Sequence, residues 1–389
     1  MQYPVLTLKA DKETSIRNGH RWIFSGAVAT VEPVEDGSIV AVKNARGNLL
    51  GFGMYHSKTS ISVRLLGFGS KDPIETLKSN ILSAIALRSR LFRKEVTNAV
   101  RLIHSESDGI PGLVVDQYAD VLVVQISTLG TEKLKPLILE TLIEALKPRA
   151  ILEKSDMPSR REEGLEASEE MLYGPTIDRV VALENGMKFE VDFSGQKTGF
   201  FLDQREERDL VRSLAHGKTV LNAFGYTGGF SVAALAGGAT KVDTLDISQA
   251  AVDQARKNIA LNGFDSEAQG YFAEDAFLFL REKPLNYDLV ILDPPAFAKK
   301  KADIERATAG YREINATTMK KMSAGSLLLT ASCSYFMNPE LFRKMLFLSA
   351  RDAKRNVRIL SEHRQAFDHP GHLMHPEGEY LKSFLLAID

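Results

Sequence analysis

From residue 186 onward the chain alternates strand and helix signals, and this alternation constrains the fold more than any other feature. KTVLNAF precedes GGFSVAALAGG, KVDTLDI precedes QAAVDQARKNIALNG, YDLVILD leads into a further helix, and GSLLLTAS follows. Such alternation builds crossover units on a parallel sheet, whose strands, covered on both faces, read as unbroken apolar runs such as Leu289-Val290-Ile291-Leu292. The prediction is a doubly wound α/β domain over 186–389. Ligands of such sheets bind beyond the carboxyl ends of the strands, so the loops there are where function is sought.

Upstream, residues 1–72 read as short β segments, VLTLKA, SIVAVKN, LLGFGMY and ISVRLLG, broken by Gly, Asp and Asn as in a small β-barrel. The stretch Arg21-Trp22-Ile23-Phe24 interrupts them, and Trp22 reads either as a staple of the barrel or as a platform on which an RNA base stacks. Residues 73–185 read as an α+β middle domain. PIETLKSNILSAIALRSRLF puts Ile74, Leu77, Ile81 and Ile85 on one helix face, GLVVDQYADVLVVQIS gives strands, TEKLKPLILETLIEAL a helix, and SDMPSRREEGLEASEE an exposed loop. Charge narrows the partners: 49 Lys and Arg balance 50 Asp and Glu, so no global field holds a polyanion. Any nucleic-acid site is a local patch, and residues 1–70 carry a mild excess, eight basic against five acidic. No apolar run approaches the ~20 residues of a membrane helix and the start carries no secretion signal, so a cytoplasmic protein is expected. The single cysteine, Cys333, excludes an internal disulfide and a cysteine-cluster zinc site.

Motifs fall on the expected loops. Asn222-Ala223-Phe224-Gly225-Tyr226-Thr227-Gly228-Gly229 is a glycine turn opening a helix, yet it matches neither the nicotinamide G-x-G-x-x-G nor the phosphate-binding G-x-x-x-x-G-K pattern. The second strand ends in Asp246-Ile247-Ser248, where a carboxylate can accept from two ribose hydroxyls, and Asp275-Ala276 follows the third, where one can accept from an exocyclic amine. Either Asp alone could merely cap a helix. In this order the set resembles the S-adenosylmethionine site of class I methyltransferases. After the fourth strand, Asp293-Pro294-Pro295-Ala296-Phe297 holds an extended, rigid backbone at the pocket mouth. In that class such a stretch orients a planar base or amine, although Ala296 stands where adenine-N6 enzymes carry an aromatic. The next strand ends at Ser332-Cys333-Ser334, which places a thiol on the strand neighbouring that of Asp293. C5 of cytosine or uracil is a weak nucleophile. A thiolate adding to C6, with an acid sharing a proton at N3, makes C5 enamine-like.

These residues resemble the ribosomal RNA large-subunit cytosine-C5 methyltransferases with an N-terminal PUA domain. Gly19-His20-Arg21-Trp22-Ile23-Phe24 is similar to the start of the family's PUA domain, and the segment from His104 to Asp116 to its middle-domain signature. The segment Gly195-Gln196-Lys197-Thr198-Gly199-Phe200-Phe201-Leu202-Asp203-Gln204-Arg205 resembles the part that closes over the methionine end of the cofactor. The resemblance implies a Rossmann-like class I domain at 186–389, S-adenosylmethionine as cofactor and 23S ribosomal RNA as partner, free or in a precursor particle, with a homodimer left open. It implies Cys333 as nucleophile and Asp293 as base-orienting acid. Lys197, Thr198, Phe201, Asp203 and Gln204 line the methionine side, Asn222, Phe224, Gly225 and Gly228 the centre, Asp246, Ile247 and Ser248 the ribose, and Asp275 and Ala276 the adenine. Pro294, Pro295 and Phe297, with Arg21 and Trp22, are the RNA contacts it implies.

Two motifs stay outside that reading. His369, His372 and His375 are spaced by Pro and Gly as a loop rather than as helical ligands, so no metal is expected. Lys299-Lys300-Lys301 reads either as a phosphate grip or as a solvated face. Two rival functions are a methyltransferase acting on guanine or an exocyclic amine with a structural Cys333, and a non-catalytic RNA-binding protein of ribosome assembly.

Overall fold

The structure, a computed structural model, describes residues 3–193, 199–298 and 300–389. Contacts divide the chain into two compact units, one of residues 1–180, 192–199 and 367–378, the other of 181–191, 200–366 and 379–389.

The first unit begins with a six-stranded sheet of order β2(Trp22–Phe24)-β6(Ile61–Phe68)-β5(Leu49–Tyr55)-β4(Ile39–Lys43)-β1(Val5–Leu8)-β3(Val28–Val31), with helix α1(Thr14–Arg17) between β1 and β2. The predicted segments all fall on strands. Arg21 to Phe24 does not interrupt the sheet: Trp22 opens β2, paired with Arg64 of β6, because an aromatic run suits a pleated surface. Leu6, Leu8, Ile23, Val40, Val42, Val63 and Leu65 fill its core.

A second sheet has the order β11(Ser168–Tyr173)-β10(Ala150–Ser155)-β9(Val121–Ile126)-β8(Leu113–Tyr118)-β7(Ala99–His104). Helices α2(Pro73–Leu91), α3(Leu129–Lys133) and α4(Lys135–Leu146) accompany it, Leu77, Ile81, Ile138 and Leu142 sharing its core. Asp72 starts α2 by accepting from the N–H groups of Ile74 and Glu75, with Pro73 in the first turn, where no donor is missed. The helix expected over 131–146 is two, α3 and α4, since Pro136 cannot continue a helix from α3. The loop expected at 155–170 is instead α5(Pro158–Glu162) followed by the edge strand β11. Most of its charges are exposed as expected, but Arg160 is buried and donates to Ile126 O at 2.9 Å and to Glu132 at 2.8 Å. The segment 367–378 joins this unit through Asp368, whose carbonyl accepts from buried Arg88 at 2.8 Å and whose carboxylate accepts from Arg101 N at 2.8 Å.

In the second unit, after the ladder of β12(Arg179–Glu184) and β13(Met187–Asp192), comes a seven-stranded sheet. Its order is β16(Gly270–Ala273)-β15(Lys241–Asp246)-β14(Thr219–Ala223)-β17(Leu289–Leu292)-β18(Ser326–Ser332)-β20(Lys382–Ile388)-β19(Val357–His363). The first five in that list are parallel, while β20 runs antiparallel between β18 and β19. Helices α6(Arg205–Leu214), α7(Gly229–Ala236), α8(Gln249–Leu261), α9(Ala276–Glu282), α10(Ile304–Lys321) and α11(Pro339–Ala353) connect them. This is the expected doubly wound sheet, with the order reversing at β14, and its ligand crevice lies there. Among the described residues no helix is long and apolar enough to cross a membrane.

One buried ion pair sets the start of α6. Arg208 donates to both oxygens of Glu184, at 2.5 and 2.7 Å, and to Phe201 O at 2.8 Å, which pins the 200–204 segment that enters the crevice. Glu184→Gln is expected to lower unfolding free energy by about 3–5 kcal/mol, since it leaves a buried guanidinium uncompensated. Equilibrium urea unfolding checks it.

Candidate active site

The crevice is built from the ends of β14, β15, β17 and β18. After β14 the chain turns through Phe224 at φ 62°, Tyr226 at φ 45° and Gly228 at φ 81°. Two non-glycine residues in the left-handed region store strain of the kind found at ligand-clamping turns. The turn sits low on the sheet because Gly225 lacks a Cβ, which would stand 2.7 Å from Thr244 Cγ2. Beneath it lies Asn222, fully buried, whose amide donates to Ser231 Oγ at 2.9 Å in a chain running on to Thr244 Oγ1 at 2.7 Å. Asp246, at the end of β15, accepts from Tyr226 N through Oδ2 and from Ser248 N through Oδ1, both at 2.9 Å. The cap of α8 is made by Ser248 Oγ, so Asp246 is left to hold the turn and to accept further donors. Asp275 does cap its helix, through Oδ1 and Leu278 N at 3.0 Å.

At the end of β17, Asp293 Oδ1 accepts from Gln204 Nε2 at 2.5 Å. Burial pushes the Asp293 carboxyl up to about 7, with Gln204 opposing and the Asp203 charge adding to the rise. One strand over, Cys333 is half-buried at the end of β18. Its flanking serines are buried and share the phenol of Tyr311, at 3.0 Å from each. Ser334 Oγ also accepts from Ala298 N at 3.2 Å, which ties the cysteine turn to the Asp-Pro-Pro loop. Burial, reinforced by the charges of Asp293 and Asp203, pushes the Cys333 thiol up to about 12. Lys382, paired with Ser332 across β18 and β20, donates from its buried ammonium to Ser334 O at 2.6 Å and Tyr380 O at 2.7 Å. Burial lowers it to about 8, and the cation opposes the rise of the thiol. Tyr380 donates to Asp203 Oδ2 at 2.7 Å, and Ser383 donates to Glu207, whose carboxyl burial lifts to about 8. The arrangement brings a thiol, a carboxyl poised near neutrality and an ammonium to one crevice, as nucleophilic addition with proton sharing requires.

Residues 138–363 match the family model described as S-adenosylmethionine-dependent methyltransferase, and residues 6–68 match that of a PUA-like domain. Curated relatives named ribosomal RNA large subunit methyltransferase I include that of Alteromonas mediterranea, 40% identical with 98% of each chain covered. That of Vibrio cholerae serotype O1 is 38% identical with 99% of each chain covered. The chain belongs to the ribosomal RNA large subunit methyltransferase I family. It is an S-adenosylmethionine-dependent methyltransferase with a PUA-like domain ahead of an α/β methyltransferase fold. The crystal structure of SMU.776 complexed with SAH has the same fold, at a TM-score of 0.84, 21% identity and complete coverage of both chains.

The residues of this family member fit the cofactor. Gln204, almost fully buried in the crevice, has an Oε1 with no hydrogen-bond partner, and Asp246 keeps lone pairs for hydroxyl donors. Phe201 is half exposed, its ring 5.2 Å from that of Tyr226 at the mouth. Gly228 admits no side chain, since a Cβ there would lie 2.7 Å from Ala255 Cβ at a φ only glycine adopts readily. Gly228→Ala is expected to weaken S-adenosylmethionine binding at least tenfold, about 1.4 kcal/mol, read by calorimetry.

Of the other residues singled out in the sequence, Ile247 is exposed, Ala276 buried, Pro294 buried and Pro295 exposed. Phe297 packs on Tyr311 with ring centroids 4.5 Å apart, so its face is already covered by protein. Lys197, Thr198 and Lys299 lie outside the described residues. Arg21 donates to Leu65 O and Leu66 O, and the indole of Trp22 donates to Glu106 at 2.8 Å. Their polar atoms thus serve the first unit, while Phe24 beside them is half exposed. Sequence reasoning missed Lys382, Tyr380, Glu207 and Tyr311. Lys382 had a signal, a lone cation opening the apolar strand KSFLLAI. Tyr311 had none, sitting on a helix of ordinary pattern.

Proposed function

We propose that this chain is a cytoplasmic enzyme that forms 5-methylcytosine in 23S ribosomal RNA through a covalent adduct of Cys333 with C6 of the base. The observation that carries the reading is the half-buried thiol on β18 beside Asp293 on β17, their loops tied by Ala298 N and Ser334 Oγ. The substrate follows the name that relatives at 36–40% identity share, together with the need of a C5 position for an added nucleophile.

The proposed steps belong to the chain's own groups. The Cys333 thiol passes its proton to solvent water and its sulfur bonds to C6, while Asp293, protonated near neutrality, shares a proton at N3, so that C5 gains electron density. S-adenosylmethionine supplies the electrophilic methyl group for which this carbon is activated. Removal of the C5 proton then expels the sulfur and restores the ring. Lys382 holds the cysteine turn through Ser334 O and keeps a positive charge near the departing thiolate. Phe201, Asp203, Gln204, Phe224 and Gly225 are assigned to the methionine end and centre of the cofactor, Asp246 to the ribose, Asp275 to the adenine, and Pro294 and Pro295 to the target base. The RNA outside the crevice is assigned to the 1–72 domain around Arg21, Trp22 and Phe24, with 73–185 as the middle domain and 186–389 as the methyltransferase domain. A base inside folded RNA must be unstacked to reach the thiol, so opened or single-stranded segments are the targets.

Mapping 5-methylcytosine by mass spectrometry in ribosomal RNA from cells with and without this gene tests the reading. Loss of one such mark supports it. Loss of a methylguanine or of an N-methylated base, with every 5-methylcytosine retained, overturns it.

A further inference from the structure

The histidines of the 367–378 segment are not helical, yet the fold brings one of them to a second histidine far away in sequence. His20, just ahead of β2, and Glu377, 357 positions later, lie with Nε2 and Oε1 3.1 Å apart. His375 Nδ1 stands 3.4 Å from the other carboxylate oxygen, Glu377 Oε2. All three donor groups lie within 4.8 Å of one another, and all belong to the first unit.

Hydrogen bonding accounts for only half of this cluster. His20 and Glu377 are well placed for it, but His375 Nδ1 and Glu377 Oε2 are buried polar atoms without a hydrogen-bond partner, although they face each other at contact distance. His375 is 1% exposed, so no bulk solvent satisfies it. Leaving two such atoms unmatched is costly unless something converges on both. A cation does so without the alignment that an N–H donor demands. In a tetrahedral zinc site with bonds of about 2.0–2.1 Å, donor atoms stand about 3.3 Å apart, close to the spacings seen between each histidine and the carboxylate.

The surroundings are those of a ligand set. His20 Nδ1 accepts from Trp22 N–H at 3.2 Å and lies 3.3 Å from Trp22 O, so a metal at Nε2 displaces the proton that faces Glu377 and leaves Nδ1–H to donate to the carbonyl. The His375 ring stands edge to face on Trp22 at 4.6 Å, and the indole is itself fixed by Glu106 at 2.8 Å. Side-chain exposures of 17% for His20 and 26% for Glu377 leave a way in from solvent.

We propose that His20 Nε2, His375 Nδ1 and the Glu377 carboxylate form a zinc site that fastens the 367–378 segment to the sheet of the first unit, with the fourth position taken by water. Two imidazoles and one carboxylate suit this borderline ion better than magnesium or calcium, which take oxygen donors. The role is structural, within the first unit.

The test titrates zinc chloride into the full-length chain, freed of any affinity tag and stripped with EDTA, and follows binding by calorimetry and the melting temperature. The expected result is one zinc per chain, a melting temperature raised by zinc, and affinity reduced at least about a hundredfold in His375→Ala and in Glu377→Gln. Cys333→Ala is expected to bind zinc as the parent does, which separates this site from the thiol. If His375→Ala does not fold, Glu377→Gln, which keeps the side chain's shape, decides alone. Absence of zinc binding by the parent chain, or binding undiminished in Glu377→Gln, overturns the proposal.

Discussion

Cys333→Ala is expected to abolish methyl transfer to RNA, by at least about a thousandfold in kcat, while S-adenosylmethionine affinity changes less than threefold. The asymmetry follows from where the thiol sits. It stands at the end of β18 with its neighbours Ser332 and Ser334 locked to Tyr311, and it takes no part in the turn between β14 and α7. Removing one sulfur therefore leaves the turn, Gln204 and Asp246 as they are. RNA carrying 5-fluorocytosine at the target offers a second measurement, because fluorine at C5 blocks the proton loss that frees the enzyme. The parent is expected to form an adduct that survives denaturing electrophoresis, and the alanine variant none. Full activity of the alanine variant would assign the chemistry to guanine or an exocyclic amine instead.

The second large effect is on pH dependence. With the Cys333 thiol pushed up to about 12, the thiolate fraction rises tenfold per unit across the working range. With Asp293 near 7, the fraction carrying the N3-directed proton is complete below that value and falls tenfold per unit above it. Their product climbs with slope one up to about pH 7 and is level beyond it. Asp293→Asn carries no titrating proton, so its profile is expected to climb through pH 7 without a break, at a rate lowered about a hundredfold at neutrality. The same substitution has an opposite effect on stability. The native carboxyl keeps its proton to a higher pH than the unfolded one, so Asp293 costs stability as pH rises from about 4 through 7. Asparagine is thus expected to raise the melting temperature at pH 8 and to change it little at pH 4. A break near pH 7 that persists in the variant would assign the titration to another group, such as Glu207 or Lys382.

How much of this was legible in the sequence depends on the range of the interaction. The doubly wound sheet was, because apolar runs such as those of β17 and β18 alternate locally with helix patterns along the chain. The loops holding Asp246, Asp293 and Cys333 follow from that alternation. What was not legible is pairing across long separations. Arg160, in a charged stretch that is otherwise exposed, reads as solvated until Ile126 and Glu132, about 30 positions away, are known to meet it. Trp22 reads as base-stacking or as core, and the Glu106 carboxylate, 84 positions on, commits its indole to the first unit. His375 and His20 carry no mutual signal at all. Lys382 marks the middle case, visible as an odd residue in an apolar strand, though nothing local says that Cys333 is its neighbour.

The antiparallel insertion of β20 beside β18 sets an order of events for a chain emerging from the ribosome. The strand that bears the thiol is complete some fifty residues before the one that supplies the ammonium, and the outer strand β19 is made in between. β19 has no hydrogen-bonded place until β20 arrives, so the nascent sheet must wait with β18 as an open edge. Competence for catalysis is then a late, non-local event of folding, and in a refolding experiment it is expected to lag behind the far-UV signal of the parallel half.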